Sequence, residues 1–134
     1  MTSGIRVLVV DDETVFSDSL TKVLTRRGMR VASAPDGQRA LKLMAEQRFD
    51  VIVLDVRMAG MGGLATLRAV RERDGQIPVL ILTGHMDLNE VSEAMKGGVT
   101  EVLFKPCPVV NLVSSIQNAY TSKVSATEVS GCPE

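Results

Sequence analysis

Cysteine is scarce: Cys107 and Cys132 are the only two. A small secreted scaffold held by disulfides needs more, so both thiols are expected to be reduced. Cys107 reads as a half-buried small apolar filler, and Cys132 as part of a tail. Long apolar runs are missing too. No stretch reaches the ~18 apolar residues of a membrane-spanning helix. Met1-Thr2-Ser3-Gly4 shows no basic region followed by an apolar segment, so no signal peptide is expected and the expected location is cytoplasmic. Neither sign of charge dominates. Fifteen Lys and Arg against sixteen Asp and Glu leave a net charge of −1, which gives no electrostatic case for direct nucleic-acid or membrane binding. The single histidine, His85, is expected on an exposed loop rim rather than on a metal. There are no long repeats and no low-complexity blocks. What remains, 134 residues with 45% hydrophobic and 23% charged, fits one globular domain large enough for a real core.

The chain is organised around Val51-Ile52-Val53-Leu54-Asp55, an apolar and mostly β-branched run that ends in an aspartate. Such a run, followed by the glycine-rich Met58-Ala59-Gly60-Met61-Gly62-Gly63, predicts a strand buried on both faces and then a loop. Three other runs repeat the arrangement. Ile5 to Val10 ends in Asp11-Asp12, Val79 to Leu82 in Thr83-Gly84, and Val102 to Phe104 in Lys105-Pro106. Parallel, adjacent strands would bring these polar groups to one sheet edge, where open α/β sheets bind their ligands.

Between the strands lie amphipathic segments. Glu13 to Arg27 is an expected helix with Phe16, Leu20, Val23 and Leu24 on one face, Gly28 as its C-cap and Val15 exposed. Met29 to Ser33 is a weaker strand near an edge, and Pro35-Asp36-Gly37 opens a helix that ends near Arg48. Leu64 to Arg73 forms a third helix with Leu64, Leu67 and Val70 inward. Leu88 to Lys96 forms a fourth with Val91 and Met95 as its core pair. The fifth opens at Pro108 and extends to about Tyr120. Five alternations of strand and helix predict a doubly wound α/β sheet. The domain is expected over residues 1–120, with residues 121–134 a tail or linker stub where periodic apolar residues stop.

Three clustered carboxylates repel one another. Two unit charges ~4 Å apart cost ~1 kcal/mol in water and ~4 kcal/mol at an effective dielectric of 20. A hard divalent cation relieves this, and oxygen-only ligands suit Mg²⁺ or Mn²⁺. Thr83 and Lys105 are then available to an anion beside the metal. A carboxylate nucleophile, a metal, a lysine and a hydroxyl are the parts needed to form an aspartyl phosphate.

Asp11-Asp12, Asp55, Thr83 and Lys105-Pro106, in this order and each closing a strand-like run, resemble the receiver domain of bacterial two-component response regulators over roughly Ile5 to Tyr120. The resemblance implies a flavodoxin-like fold with five parallel strands in order 2-1-3-4-5 and five helices. It implies Asp55 as phosphoacceptor, with a phosphohistidine on a histidine kinase or histidine phosphotransfer protein as donor. It implies Mg²⁺ held directly by Asp12 and Asp55, through water by Asp11, and by the backbone carbonyl of Arg57. Thr83 and Lys105 would each take a phosphoryl oxygen. The signalling switch would be Thr83 with the residue three before the lysine, here Val102. A homodimer or output partner is expected through the fourth and fifth helices, because no charged residue occurs from Pro106 to Ser122.

The chain departs from the family pattern at several positions. Ala59 replaces a usual proline, Gly62 a usual aspartate, Val102 a usual aromatic, and Gly98-Val99 a common Gly-Ala. The first two predict a looser loop after Asp55. Two other functions compete with the leading one. An aspartate-nucleophile Mg²⁺ phosphatase expects a second aspartate two residues after the nucleophile, where Arg57 stands. A phosphorylation-independent pseudo-receiver scaffold is disfavoured by the intact Asp12, Asp55, Thr83 and Lys105.

Overall fold

Apolar runs with no polar face can only be buried on both sides, and that requirement builds the centre of the molecule. The computed structural model describes residues 4–57 and 61–130, with backbone alone for residues 123–130. Its strands are β1 (Arg6–Val10), β2 (Arg30–Ala34), β3 (Val51–Leu54), β4 (Val79–Thr83) and β5 (Glu101–Phe104). They form one parallel sheet in the order β2-β1-β3-β4-β5, the order expected. The helices are α1 (Thr14–Arg26), α2 (Gly37–Glu46), α3 (Gly63–Arg73), α4 (Leu88–Lys96) and α5 (Val109–Ser130).

Strand side chains alternate between two cores. Leu8, Val10, Ile52, Leu54, Val79 and Ile81 face α2, α3 and α4, where Ala40, Leu43, Leu67, Val70 and Ala94 meet them. Val7, Val9, Val51, Val53, Leu80 and Leu82 face α1 and α5, where Leu20, Leu24, Leu112, Val113 and Ile116 meet them. Cys107 packs half-buried against this second core. The C-cap of α1 is Arg27 rather than Gly28, which follows it at φ +91°, the left-handed position where glycine is favoured. Arg6 opens β1 at the end of the strand away from the carboxylates, and Val15 and His85 are exposed, all as expected.

Two further expectations need correction. Met95 is 55% exposed and does not pair with Val91 in the core; Ala94 does. The reason is the closeness of α3: a Cβ on Gly97 would crowd the Leu67 side chain, so this interface accepts alanine and not methionine. The fifth helix does not stop near Tyr120 but runs to Ser130. Thr, Ser and Ala after Tyr120 cost a helix little once it has nucleated on a packed apolar face. The uncharged stretch of α5 exposes Val110, at 57%, whereas Val113 is buried and Val109 half-buried. The loop after Asp55 that was expected to be loose falls at Met58, Ala59 and Gly60, outside the described residues, as does Cys132.

Gly62 sets the entry of α3. It is the N-cap residue, without a side-chain cap, at φ +78° and ψ 157°. That region is essentially glycine's alone, and it turns the chain so that Gly63 lies against the Asp55 and Val56 backbone, with Gly63 N–H donating to the Val56 carbonyl at 3.1 Å. A Gly62→Ala variant should lose about 1–3 kcal/mol of stability, read as a lower urea midpoint at unchanged slope; an unshifted midpoint would contradict the strained backbone.

Candidate functional site

The backbone ladder continues past the strand ends and carries the polar residues with it. Asp11 N–H donates to the Ala34 carbonyl at 3.1 Å, Asp55 N–H to Val10 at 2.9 Å and Lys105 N–H to Thr83 at 2.8 Å. Asp11, Asp55 and Thr83 are buried, and Asp12 is exposed on the rim. Carboxylate oxygens of Asp11, Asp12 and Asp55 lie within 4.8 Å of one another. Backbone donors fix two of these carboxylates: Glu13 N–H reaches Asp11 Oδ1 and Arg57 N–H reaches Asp55 Oδ1, each at 2.9 Å.

Lys105 supplies the countercharge. Its Nζ lies 2.8 Å from Asp11 Oδ2, 2.7 Å from Glu13 Oε1 and 3.5 Å from Asp55 Oδ2. It also sits 4.3 Å above the centre of the Phe16 ring. Burial raises the Asp11 carboxyl above its ordinary 3.8; the Lys105 bond and the Glu13 N–H oppose this, and the Asp55 charge adds to it. Burial alone would lower Lys105, but its bonds to Asp11 and Glu13 outweigh that and raise it above its ordinary 10.5. Both members of the pair rise: at Asp11 burial outweighs the lysine, whereas at Lys105 the carboxylate bonds outweigh burial. The signs for stability follow. Asp11 holds a proton in the folded state just above pH 3.8 that the unfolded chain has released, so its contribution falls as pH rises through its folded value. The Lys105 contribution is complete below pH 10.5 and is lost only above it.

The donor set suits a hard cation. An octahedral Mg²⁺ at ~2.0–2.1 Å from its oxygens spans roughly 4 Å from one ligand to the opposite one, compatible with carboxylate oxygens inside 4.8 Å. The fully buried Thr83 ends β4 beside this cluster, but its hydroxyl donates to the His85 carbonyl at 3.3 Å. Val102 is half-buried and packs against the core under α4.

The structure thus brings Asp11, Asp12, Asp55, Thr83 and Lys105 to one edge. It adds residues that sequence reasoning missed. Glu13 is expected only as the start of the first helix, yet it accepts a hydrogen bond from Lys105; a further acid directly after Asp11-Asp12 was the available signal. Phe16 was read as core only. Arg57 was read for its carbonyl alone, but its guanidinium pairs with Glu90 at 2.7 Å. Nothing in the sequence points across the 33 positions that separate them. A cavity of about 340 Å³ lies elsewhere, lined by residues that include Met44, Phe49, Arg73 and Ile77, with none of the site groups in it.

A flavodoxin-like sheet with carboxylates, a hydroxyl and a lysine at its carboxyl edge defines a class of signalling domain. Residues 7–117 match the family model of the response regulator receiver domain, and the chain belongs to that family. It is similar to the transcriptional regulatory protein ZraR of Escherichia coli K12, 39% identical over 116 residues that make up 87% of this chain and 26% of that protein. It is also similar to the transcriptional regulatory protein AfsQ1 of Streptomyces coelicolor, 38% identical over 75% of this chain and 44% of that protein. The chain therefore spans about a quarter to under a half of these relatives. Among solved structures, the chemotaxis protein CheY4 of Vibrio cholerae superposes with a TM-score of 0.83 at 32% identity, covering 87% of this chain and 99% of that one. A receiver domain protein of Clostridium thermocellum gives 0.85 at 31% identity, covering 91% and 98%. Among the described residues no helix is long and apolar enough to cross a membrane.

Removing the shared cation should expose the repulsion among the acids. Lys105→Met should lose about 1–3 kcal/mol in chelator at pH 7, less than the ~3–5 kcal/mol of a fully buried pair because Glu13 is exposed. Added Mg²⁺ should raise its melting temperature more than it raises that of the unsubstituted protein. Equal stability of the two proteins in chelator would contradict the role given to Lys105.

Proposed function

We propose that this receiver domain accepts a phosphoryl group on Asp55 from a phosphohistidine of a histidine kinase or histidine phosphotransfer protein. The observation that carries this reading is the Lys105 ammonium 3.5 Å from a buried Asp55 carboxylate whose other oxygen is held by the Arg57 N–H. An Asp55 oxygen attacks phosphorus, the phosphorus–nitrogen bond breaks, and the imidazole keeps the bonding electrons and takes up a proton. Asp55 is pre-aligned by its backbone donor, so little ordering remains to be done in the transition state. Lys105 turns from Asp11 and Glu13 to a phosphoryl oxygen, and the Thr83 hydroxyl turns from the His85 carbonyl to another. Asp12 and Asp55, with Asp11 through water and the Arg57 carbonyl, would hold Mg²⁺, which would neutralise charge on the phosphoryl oxygens. The protein is a phosphoacceptor and not an enzyme acting on a separate substrate. A phosphatase reading lacks its second aspartate, because Arg57 stands there. The pseudo-receiver reading leaves the Lys105 cluster without a purpose.

Intact mass after acetyl phosphate and Mg²⁺ should show one added phosphoryl group, absent from Asp55→Asn. An unchanged mass with Mg²⁺ bound would sink the phosphoacceptor reading.

The module covers residues 1–120, and residues 121–134 lead towards whatever it controls, whether the module works alone or within a longer regulator or hybrid kinase. It works in the cytoplasm, and its net charge of −1 gives it no direct hold on nucleic acid. Output passes to a homodimer mate or partner through α4 and α5, where Leu88, Met95 and Val110 are exposed at 87%, 55% and 57%. Val110→Glu should abolish that association, measured by sedimentation of the phosphorylated protein and by partner binding; both unchanged would remove α5 from the contact.

The switch differs from the family's usual aromatic one. Val102 has a single χ angle with a stiff preference and is too short to sweep between surface and core. Reversing a 1:99 population takes about 5.5 kcal/mol of differential binding, and valine supplies little of it by burial. Movement of residues Thr83 to Asp87 and of α4 carries the signal instead. Beryllofluoride should therefore shift amide resonances of Gly84 to Val91 more than those of Val102 to Phe104. Large shifts confined to β5 would show the opposite route.

A further inference from the structure

The phosphoryl chemistry leaves the Arg57 side chain without a task. Its guanidinium is nonetheless engaged twice: Nη2 donates to Glu90 Oε1 at 2.7 Å, and Nε to the His85 carbonyl at 3.3 Å. Its own backbone N–H donates to Asp55 Oδ1. One residue therefore touches the acceptor carboxylate with its backbone, and α4 with its side chain.

Two features separate this contact from an ordinary surface ion pair. Glu90 is the N3 residue of the α4 capping box. Its Oε1 also accepts from Asp87 N–H at 3.0 Å, while Asp87 Oδ1 accepts from Glu90 N–H at 2.9 Å. The His85 carbonyl has a second donor, the Thr83 hydroxyl at 3.3 Å. Thr83 and Arg57 thus converge on one oxygen in the loop between β4 and α4. The far end of α4 is held separately. Arg71 donates to the carbonyls of Gly97 at 2.9 Å and Gly98 at 2.8 Å, and to Ile77 at 2.8 Å, so a half-buried guanidinium ties the last turn of α4 to the α3–β4 turn.

We infer that Arg57 is a positioning residue: its guanidinium holds the β4–α4 loop and the first turn of α4 in place, and α4 pivots on the Arg71 clamp when that hold is released. The hold belongs to the unmodified protein; only its trigger rests on the reading of Asp55 as phosphoacceptor. A phosphoryl group there brings up to two negative charges within two residues of the guanidinium and competes with Glu90 for it, while the Thr83 hydroxyl leaves the His85 carbonyl. An ion pair with side chains 49% and 20% exposed is weak, which suits a hold that must be let go.

The test is amide hydrogen exchange on the full chain, unphosphorylated, for Arg57→Met, Glu90→Gln and the double variant. Methionine keeps the aliphatic stem, and glutamine keeps the capping acceptor at N3. Exchange at Val91 to Met95 should quicken roughly two- to five-fold in each single variant, the range of a partly exposed pair. The double variant should match Arg57→Met alone, since Glu90→Gln weakens only a contact that the loss of the guanidinium already removes. Amides of β1 and β3 should not change. Unaltered exchange in α4, or additive effects in the double variant, overturns the hold. Phosphoryl uptake by mass in the same proteins keeps the two readings apart. Faster α4 exchange without uptake in any of them rejects the phosphoacceptor and leaves the hold standing. Uptake with unaltered exchange rejects the hold alone.

Discussion

One ammonium among four carboxylates is the constraint on which this structure turns. Asp11 and Asp55 are buried, Asp12 and Glu13 lie on the rim, and Lys105 is bonded or close to three of the four. Burying one such charge without a partner costs several kcal/mol. Removing the lysine from the cluster therefore requires something else to take its place on the acids. A divalent cation can do so, and the lysine is then free for an anion. The arrangement is stable enough to fold and unsettled enough to respond, and that combination suits the phosphoryl acceptance proposed for these strand ends.

The rest of the fold exists to hold those strand ends still. Both faces of β1, β3 and β4 are covered, and their register lines up Val10 with Leu54, and Leu54 with Ile81. The next residues after these strands are the site. The helix that follows β3 is brought against the Asp55 backbone by Gly62 and Gly63. By contrast, α4 is joined to the site by exposed polar contacts at one end and a half-buried arginine at the other. The doubly covered strands position the candidate site, and α4, held by these polar contacts, is the helix proposed to report on it.

The strands and the site were legible because a strand buried on both faces must be written as an unbroken apolar run. The polar residue that ends such a run is then conspicuous. Asp11, Asp12, Asp55 and Thr83 were found that way, Lys105 as the end of the short apolar run of β5, whose Phe104 is 49% exposed, and the sheet order followed from the resemblance they carry. Helix faces were less legible. Met95 and Ala94 both satisfy the apolar period of α4, and only the closeness of α3 at Gly97 chooses alanine. The outward turn of Val110, between Val109 and Val113, depends on how α5 rolls on the sheet. The length of α5 beyond Tyr120 is a matter of propensity with no strong stop signal. The Arg57–Glu90 pair could not be read at all, because it exists only after β3 and β4 have been placed side by side.

The most direct test of this account is a crystal structure grown with Mg²⁺ and beryllofluoride. The account predicts the beryllium on an Asp55 oxygen and Mg²⁺ at ~2.0–2.1 Å from oxygens of Asp12 and Asp55. It also predicts that Lys105 Nζ has left Asp11 and Glu13, at 2.8 Å and 2.7 Å here, for a fluoride. A cation bound away from these carboxylates, or a lysine still bonded to Asp11 and Glu13 beside an occupied Asp55, would contradict it.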